Sequence, residues 1–333
     1  MSELVLKSSR FRAEREADWR RLETLLDRVE RGSARRLSTP ELLEIPVLYR
    51  QALSSLSVAR SISLDQSLID YLEGLCTRAY FFVYGARGGL WDRLGRFFAV
   101  DWPNAVRSLW RETLAAAAIM AIGVATAIAL IASDPDWFYA FVPGGLAGGR
   151  DPTATTAYLR STLYDAPQDG QTGLSFMASF LFTHNAGVAI LAFALGFALC
   201  LPTAGLMMAT GCMLGAFLAL FASHGLGFEV GGWLMIHGVT ELFAITLAGA
   251  AGFSIGWSVT FPGDRSRLDA AAAAGRRAGT VMMGVVVMLF FAGLLEGFGR
   301  QLIKADAVRY AIALTTAAVW GAYFYLPRAR PAQ

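Results

Sequence analysis

The chain has 333 residues, 55% hydrophobic and 17% charged, with a formal net charge of +3. That is too apolar for an ordinary soluble domain, and its small, sign-mixed charge argues against a nucleic-acid partner. The charge is unevenly spread: residues 1–111 hold 18 of the 29 Lys and Arg and 14 of the 26 Asp and Glu, so membrane character belongs to the remainder.

Residues 1–85 read as a cytoplasmic helical region. Glu14, Glu16, Asp18 and Glu23 interrupt the first thirty residues, so no signal-peptide core is expected there. Trp19, Leu22, Leu25, Leu26 and Val29 recur at helical spacing, and Gly32 is the expected stop. Ser38-Thr39-Pro40-Glu41 combines N-cap candidates, an early proline and a capping-box glutamate, so a second helix starts near residue 40. Ser63 with Gln66 repeats the pattern for a third helix over about 64–84, and Gly85, Gly88 and Gly89 break the chain after it. Leu48, Tyr49, Leu53 and Leu56 are candidate contacts for a protein partner, or for packing within this region.

Residues 86–111 alternate Trp91, Trp102 and Trp110 with Arg93, Arg96 and Arg107, which predicts an amphipathic helix in the headgroup region, where rings and cations both find favourable surroundings. Packing against the preceding helices is the alternative. A membrane-spanning helix needs about 20 mostly apolar residues. Six stretches are expected to cross: 113–133, 186–201 with help from the apolar run 174–183, 204–222, 231–260, 279–298 and 308–326. The first two are separated by a polar, acidic loop, 134–173, whose only cations are Arg150 and Arg160. The fold class is therefore an all-α polytopic bundle filling 112–327, with a tail at 328–333.

Basic residues in the N-terminal region, at Arg265, Arg267, Arg276 and Arg277, and at Arg328 and Arg330 place both termini in the cytoplasm and the 134–173 loop outside. Arg300 and Lys304 run against this assignment without reversing it. Gly211/Gly215, Gly252/Gly256 and Gly293/Gly297 give the Gly-x-x-x-Gly spacing for close helix approach in lipid, within the chain or in a homodimer. Cys76, Cys200 and Cys212 lack metal or redox spacing and read as buried thiols.

Ionisable groups inside the spans are few and costly, so each should face the bundle interior with a partner. They are His184, His224, His237, Glu241 and Glu296. The expected topology gathers them in the outer half of the bundle. His237 and Glu241 share one helical face, four residues being close to one turn. His184, Asn185, His237, Thr240, Glu241 and Glu296 are thus expected to form a polar cluster. It could be a self-satisfied structural group. It could equally be a site, with His184, His237, Glu241 and Glu296 as candidate ligands for zinc or a similar divalent metal, or as a proton relay. Gly252-Phe253-Ser254-Ile255-Gly256 matches the Gly-x-Ser-x-Gly string, but a nucleophile elbow needs a strand–turn–helix setting, which a hydrophobic helix does not offer.

An ordered set of short motifs runs through residues 181–298. It comprises Leu181-Phe182-Thr183-His184-Asn185, Gly196, Pro202-Thr203, Gly211, Leu214-Gly215, His237-Gly238-Val239-Thr240-Glu241-Leu242, Ala248-Gly249-Ala250-Ala251-Gly252, Phe261-Pro262-Gly263, Ala292-Gly293 and Glu296-Gly297-Phe298. It resembles the stage II sporulation protein M family of bacterial and archaeal membrane proteins, and Tyr49-Arg50 and Ala59-Arg60 extend the likeness. The resemblance implies membership in a cell-envelope assembly, since the family's namesake is a scaffold that localises peptidoglycan-remodelling enzymes during engulfment. The long N-terminal region is similar to the broader, non-sporulation branch. The expected role is a non-catalytic scaffold or membrane subunit of the cytoplasmic (inner) membrane, contacting lipids and, through its N-terminal helices, protein partners. The alternative is a transporter or an ion or proton channel using the polar cluster. An intramembrane enzyme is the third reading.

Overall fold

A computed structural model describes residues 2–30, 37–61, 65–84, 90–165, 183–299 and 302–326. Gly32, Ser63, the glycines at 85–89, the run 174–182, Arg300, Arg328 and Arg330 lie outside them. The described residues are helical, without strands, and divide into two compact units, Met1–Arg93 and Leu94–Gln333.

The first unit is three helices: α1 (Ser2–Glu30), α2 (Thr39–Ser61) and α3 (Gln66–Tyr84). Trp19, Leu22, Leu25 and Leu26 are fully buried against Ile45 and Ala52 of α2 and Leu68 and Leu72 of α3. The expected capping box is present. The Ser38 N–H donates to the Glu41 carboxylate at 2.8 Å, which satisfies a donor that the helix itself leaves open. Asp65 precedes α3, and its carboxylate accepts from the Ser67 N–H at 3.2 Å and from the Ser67 hydroxyl at 2.7 Å. Arg78 of α3 clamps Asp27 and Glu30 of α1. Leu48, Tyr49 and Leu56 lie in this core, while Leu53 is exposed.

The second unit begins within a short α4 (Leu90–Arg96), a π turn (Phe97–Asp101) and α5 (Trp102–Ser108). The tryptophans that suggested an interfacial helix part company. Trp91 and Trp110 are exposed, but Trp102 is 2% exposed. It stacks on Phe97 and meets Trp320 and Phe324 edge-on, with its indole over Gly284, where a Cβ would collide with the ring.

α6 (Trp110–Ser133), α11 (Leu201–Ser223), α12 (Gly227–Thr260) and α13 (Arg267–Leu294, extended by a π turn Leu295–Gly299) are long and apolar enough to cross a membrane. The second expected span is α10 (Thr183–Phe197), too short by itself. The sixth is α14 (Asp306–Tyr325), whose first turn carries Asp306 and Arg309. The acidic loop is partly helical: α7 (Trp137–Phe141), α8 (Gly144–Ala147) and α9 (Thr156–Tyr164) fold back onto the bundle. Arg309 fixes α9. Fully buried, it donates to the Leu163 carbonyl at 3.0 Å, the Ile303 carbonyl at 2.8 Å and Asp306 at 3.0 Å.

α12 is the central helix, and every residue from Ala244 to Gly256 is buried. Its glycines meet α10 through backbone: a Cβ on Gly252 would strike the Ala192 carbonyl. Gly211 and Gly215 pack α11 against α6 in the same manner, facing the Met120 and Val124 carbonyls. Without a hydrophobic driving force in lipid, such backbone proximity supplies the dispersion contacts that hold helices together. Between α10 and α11, Leu199 and Cys200 adopt φ of 58° and 71°, a strained conformation for non-glycine residues. All three cysteines are free, Cys200 half-buried and the other two buried.

Candidate functional site

Two helices carry the centre of the site. His237 and Glu241 project from one face of α12, and Glu296 enters from the π turn that closes α13. A π turn inserts an extra residue per turn and re-aims the side chains on it. Here it leaves Glu296 5% exposed, facing an imidazole that is 3% exposed. His237 Nε2 lies 3.5 Å from Glu296 Oε1, and one donor atom from each of His237, Glu241 and Glu296 lies within 4.8 Å of the other two. Trp233, one turn before His237, meets the imidazole edge-on at 6.3 Å between centroids.

These three side chains line a cavity of about 350 Å³. His184 and Asn185, at the start of α10, line it as well, so five of the six residues expected to cluster share one cavity. Its walls are otherwise mostly apolar, with Met213 and Phe217 of α11, Trp233 and Ile245 among them. Thr240 does not join. It points to α14 and accepts a hydrogen bond from Trp320 Nε1 at 3.0 Å, because one residue's step turns about 100° around a helix. His224 lies apart too, at the end of α11, with Nδ1 2.9 Å from the Leu220 carbonyl. Ser254 is 3% exposed inside α12, between the two glycines that pack on α10, so the Gly-x-Ser-x-Gly string is a helix-packing element.

Arg150 is a cavity residue that sequence reasoning missed. It reaches over from the segment after α8, donates to the Leu146 and Ala147 carbonyls at 3.0 Å each, and rests on the Phe217 ring at 5.1 Å. Burial pushes its guanidinium below its ordinary value. The available signal was its rarity, as one of two cations in an acidic loop, together with Gly148 and Gly149, whose φ of 54° and 74° make the turn that presents it.

An all-helical bundle with spanning-length apolar helices and a buried imidazole–carboxylate cluster defines a polytopic integral membrane protein. The family model described as stage II sporulation protein M matches residues 113–299, more than half of the chain, and the protein belongs to that family. A second model, described as a domain of unknown function, matches residues 9–85. No curated protein and no solved structure matches the chain.

Proposed function

We propose that the protein is a six-span, non-catalytic membrane subunit or scaffold of a cell-envelope assembly in a bacterial or archaeal cytoplasmic membrane, with a small ligand-binding site in the outer half of its bundle. α10 and α14 join the four longer helices as spans, both termini are cytoplasmic, and residues 134–173 lie outside. The basic connection at 262–277 and the acidic character of 134–173 support this orientation. Residues 1–85 form the docking region for protein partners.

One observation carries the choice of a binding site over a conduction path. The cavity that holds the polar cluster is lined from Arg150 to Ile245, and beyond it α12 is buried without interruption to Gly256. From Leu242 to Thr260 that helix has no ionisable side chain. An ion or proton moving on along α12 would have to pass close-packed alanine and glycine, which is costly in hydrocarbon.

Topology is tested with single cysteines after replacement of the three native ones. Ala154→Cys should react with an impermeant reagent in intact cells, and Ser266→Cys only after permeabilisation. The opposite pattern would reverse the orientation. Proteoliposomes should show no proton or divalent-cation flux above protein-free vesicles, and flux abolished by Glu241→Gln would replace this reading with a transporter. Extracted gently from its own membranes, the chain should migrate in a complex larger than itself, and removal of residues 1–85 should release it.

A further inference from the structure

We infer that the His237/Glu241/Glu296 cluster is a mononuclear transition-metal site of the zinc class, with three protein donors and a fourth position facing the cavity; the inference rests on that cavity being a binding site.

Zinc takes nitrogen at about 2.0–2.1 Å and carboxylate oxygen at about 2.0–2.2 Å in tetrahedral array. Those lengths place neighbouring donors about 3.3–3.5 Å apart. His237 Nε2 and Glu296 Oε1 are 3.5 Å apart, the edge of such a tetrahedron and long for a charge-assisted hydrogen bond. Glu241 completes a triangle whose corners lie within 4.8 Å, so small side-chain rotations close it around one ion.

Charge points the same way. Two carboxylates converge in a site whose His and Glu296 members are almost fully buried. Glu241 is partly buried; ionised together the two repel, and holding Glu296 charged in low dielectric is costly. A divalent cation cancels both charges, and the imidazole binds in its neutral form. Donor type narrows the ion: one imidazole nitrogen with two carboxylate oxygens suits zinc or a neighbouring first-row metal, whereas magnesium and calcium prefer all-oxygen shells of six or more. Helix spacing supplies rigidity, since His237 and Glu241 are one turn apart on the most buried helix of the bundle. Three donors leave one tetrahedral position for water or a small ligand, in a cavity that His184 and Asn185 also line.

The test uses the full-length protein in nanodiscs, stripped by chelator and titrated with Co²⁺ as a spectroscopic probe, then with Zn²⁺ in competition. The expected result is one Co²⁺ per chain with the visible absorption of a tetrahedral site, displaced by Zn²⁺. His237→Gln and Glu296→Gln should each weaken binding at least tenfold, a loss reported even for the outer partners of metal ligands, while His224→Gln, outside the cavity, should leave it unchanged. Should the variants fail to fold, X-ray absorption of the zinc-loaded wild type decides, with one imidazole and the remaining donors oxygen expected. No stoichiometric binding, thiolate donors, several imidazoles, or binding undiminished in both folded variants would each overturn the inference. Flux of the bound metal into proteoliposomes would overturn the non-conducting role and leave the metal site standing. Absence of both binding and flux would remove the metal site alone.

Discussion

Trp320 of α14 donates its indole N–H to the Thr240 hydroxyl of α12 across 3.0 Å, on the helix that presents His237 and Glu241 to the cavity. The bond fixes the rotation of α12: with Thr240 held by α14, the residue after it is turned about 100° away, toward α10 and α13. A polar contact outside the site thus sets the register of the site.

Thr240→Val removes the acceptor and keeps the shape. The half-buried indole N–H then loses its partner, at a cost of about 1–2 kcal/mol. The thermal midpoint in detergent should fall, and Thr240→Ser should restore most of it. Equal midpoints for Val and wild type would show that the bond contributes nothing.

The α6–α11 seam allows a matched comparison within one helix. A Cβ on Gly211 would strike the Met120 carbonyl, whereas one on Gly205 meets nothing within 4 Å. Gly211→Ala should therefore destabilise by about 1–3 kcal/mol through overpacking. Gly205→Ala should be neutral or stabilising by about 0.5–1 kcal/mol through helix propensity. Denaturation midpoints of the two variants should move apart.

Glu41 accepts from the Ser38 N–H and lies beside Arg28, and these contacts lower its pKa from an ordinary 4.5 to about 2. Because the folded value is the lower one, its contribution is present above pH 4.5 and is lost as pH falls toward 2. The midpoint difference between wild type and Glu41→Gln should be largest at neutral pH and should shrink through that window. A pH-independent difference would assign the effect to packing.

Arg309 is fully buried and bonded in three directions. Arg309→Gln strands the Leu163 and Ile303 carbonyls and should cost about 2–4 kcal/mol. α9 should loosen first, so added protease should cut within 134–165 sooner than in wild type. Arg309→Lys should fall between the two, because an ammonium cannot reproduce the fork of a guanidinium.

Several elements were legible because their causes are local. The capping box at Ser38 and Glu41, the helical spacing of Trp19 to Leu26, and the apolar runs of α6, α11, α12 and α13 each follow from short-range geometry or from length against bilayer thickness. The pairing of His237 with Glu241 followed from the helical repeat. Thr240 was misplaced because neighbouring in sequence is not neighbouring in space on a helix.

By itself, the sequence determined that apolar helices would fill most of the chain after residue 110, and that its few buried ionisable groups must turn inward, since lipid leaves an isolated charge no alternative. Only the tertiary structure decided which of them meet. Glu296 reaches His237 through a π turn, Arg150 comes from a loop folded back over α11, and Trp102 leaves an apparent interface for the core. Those outcomes depend on how helices distant in sequence pack their glycines, a relation that no local pattern encodes.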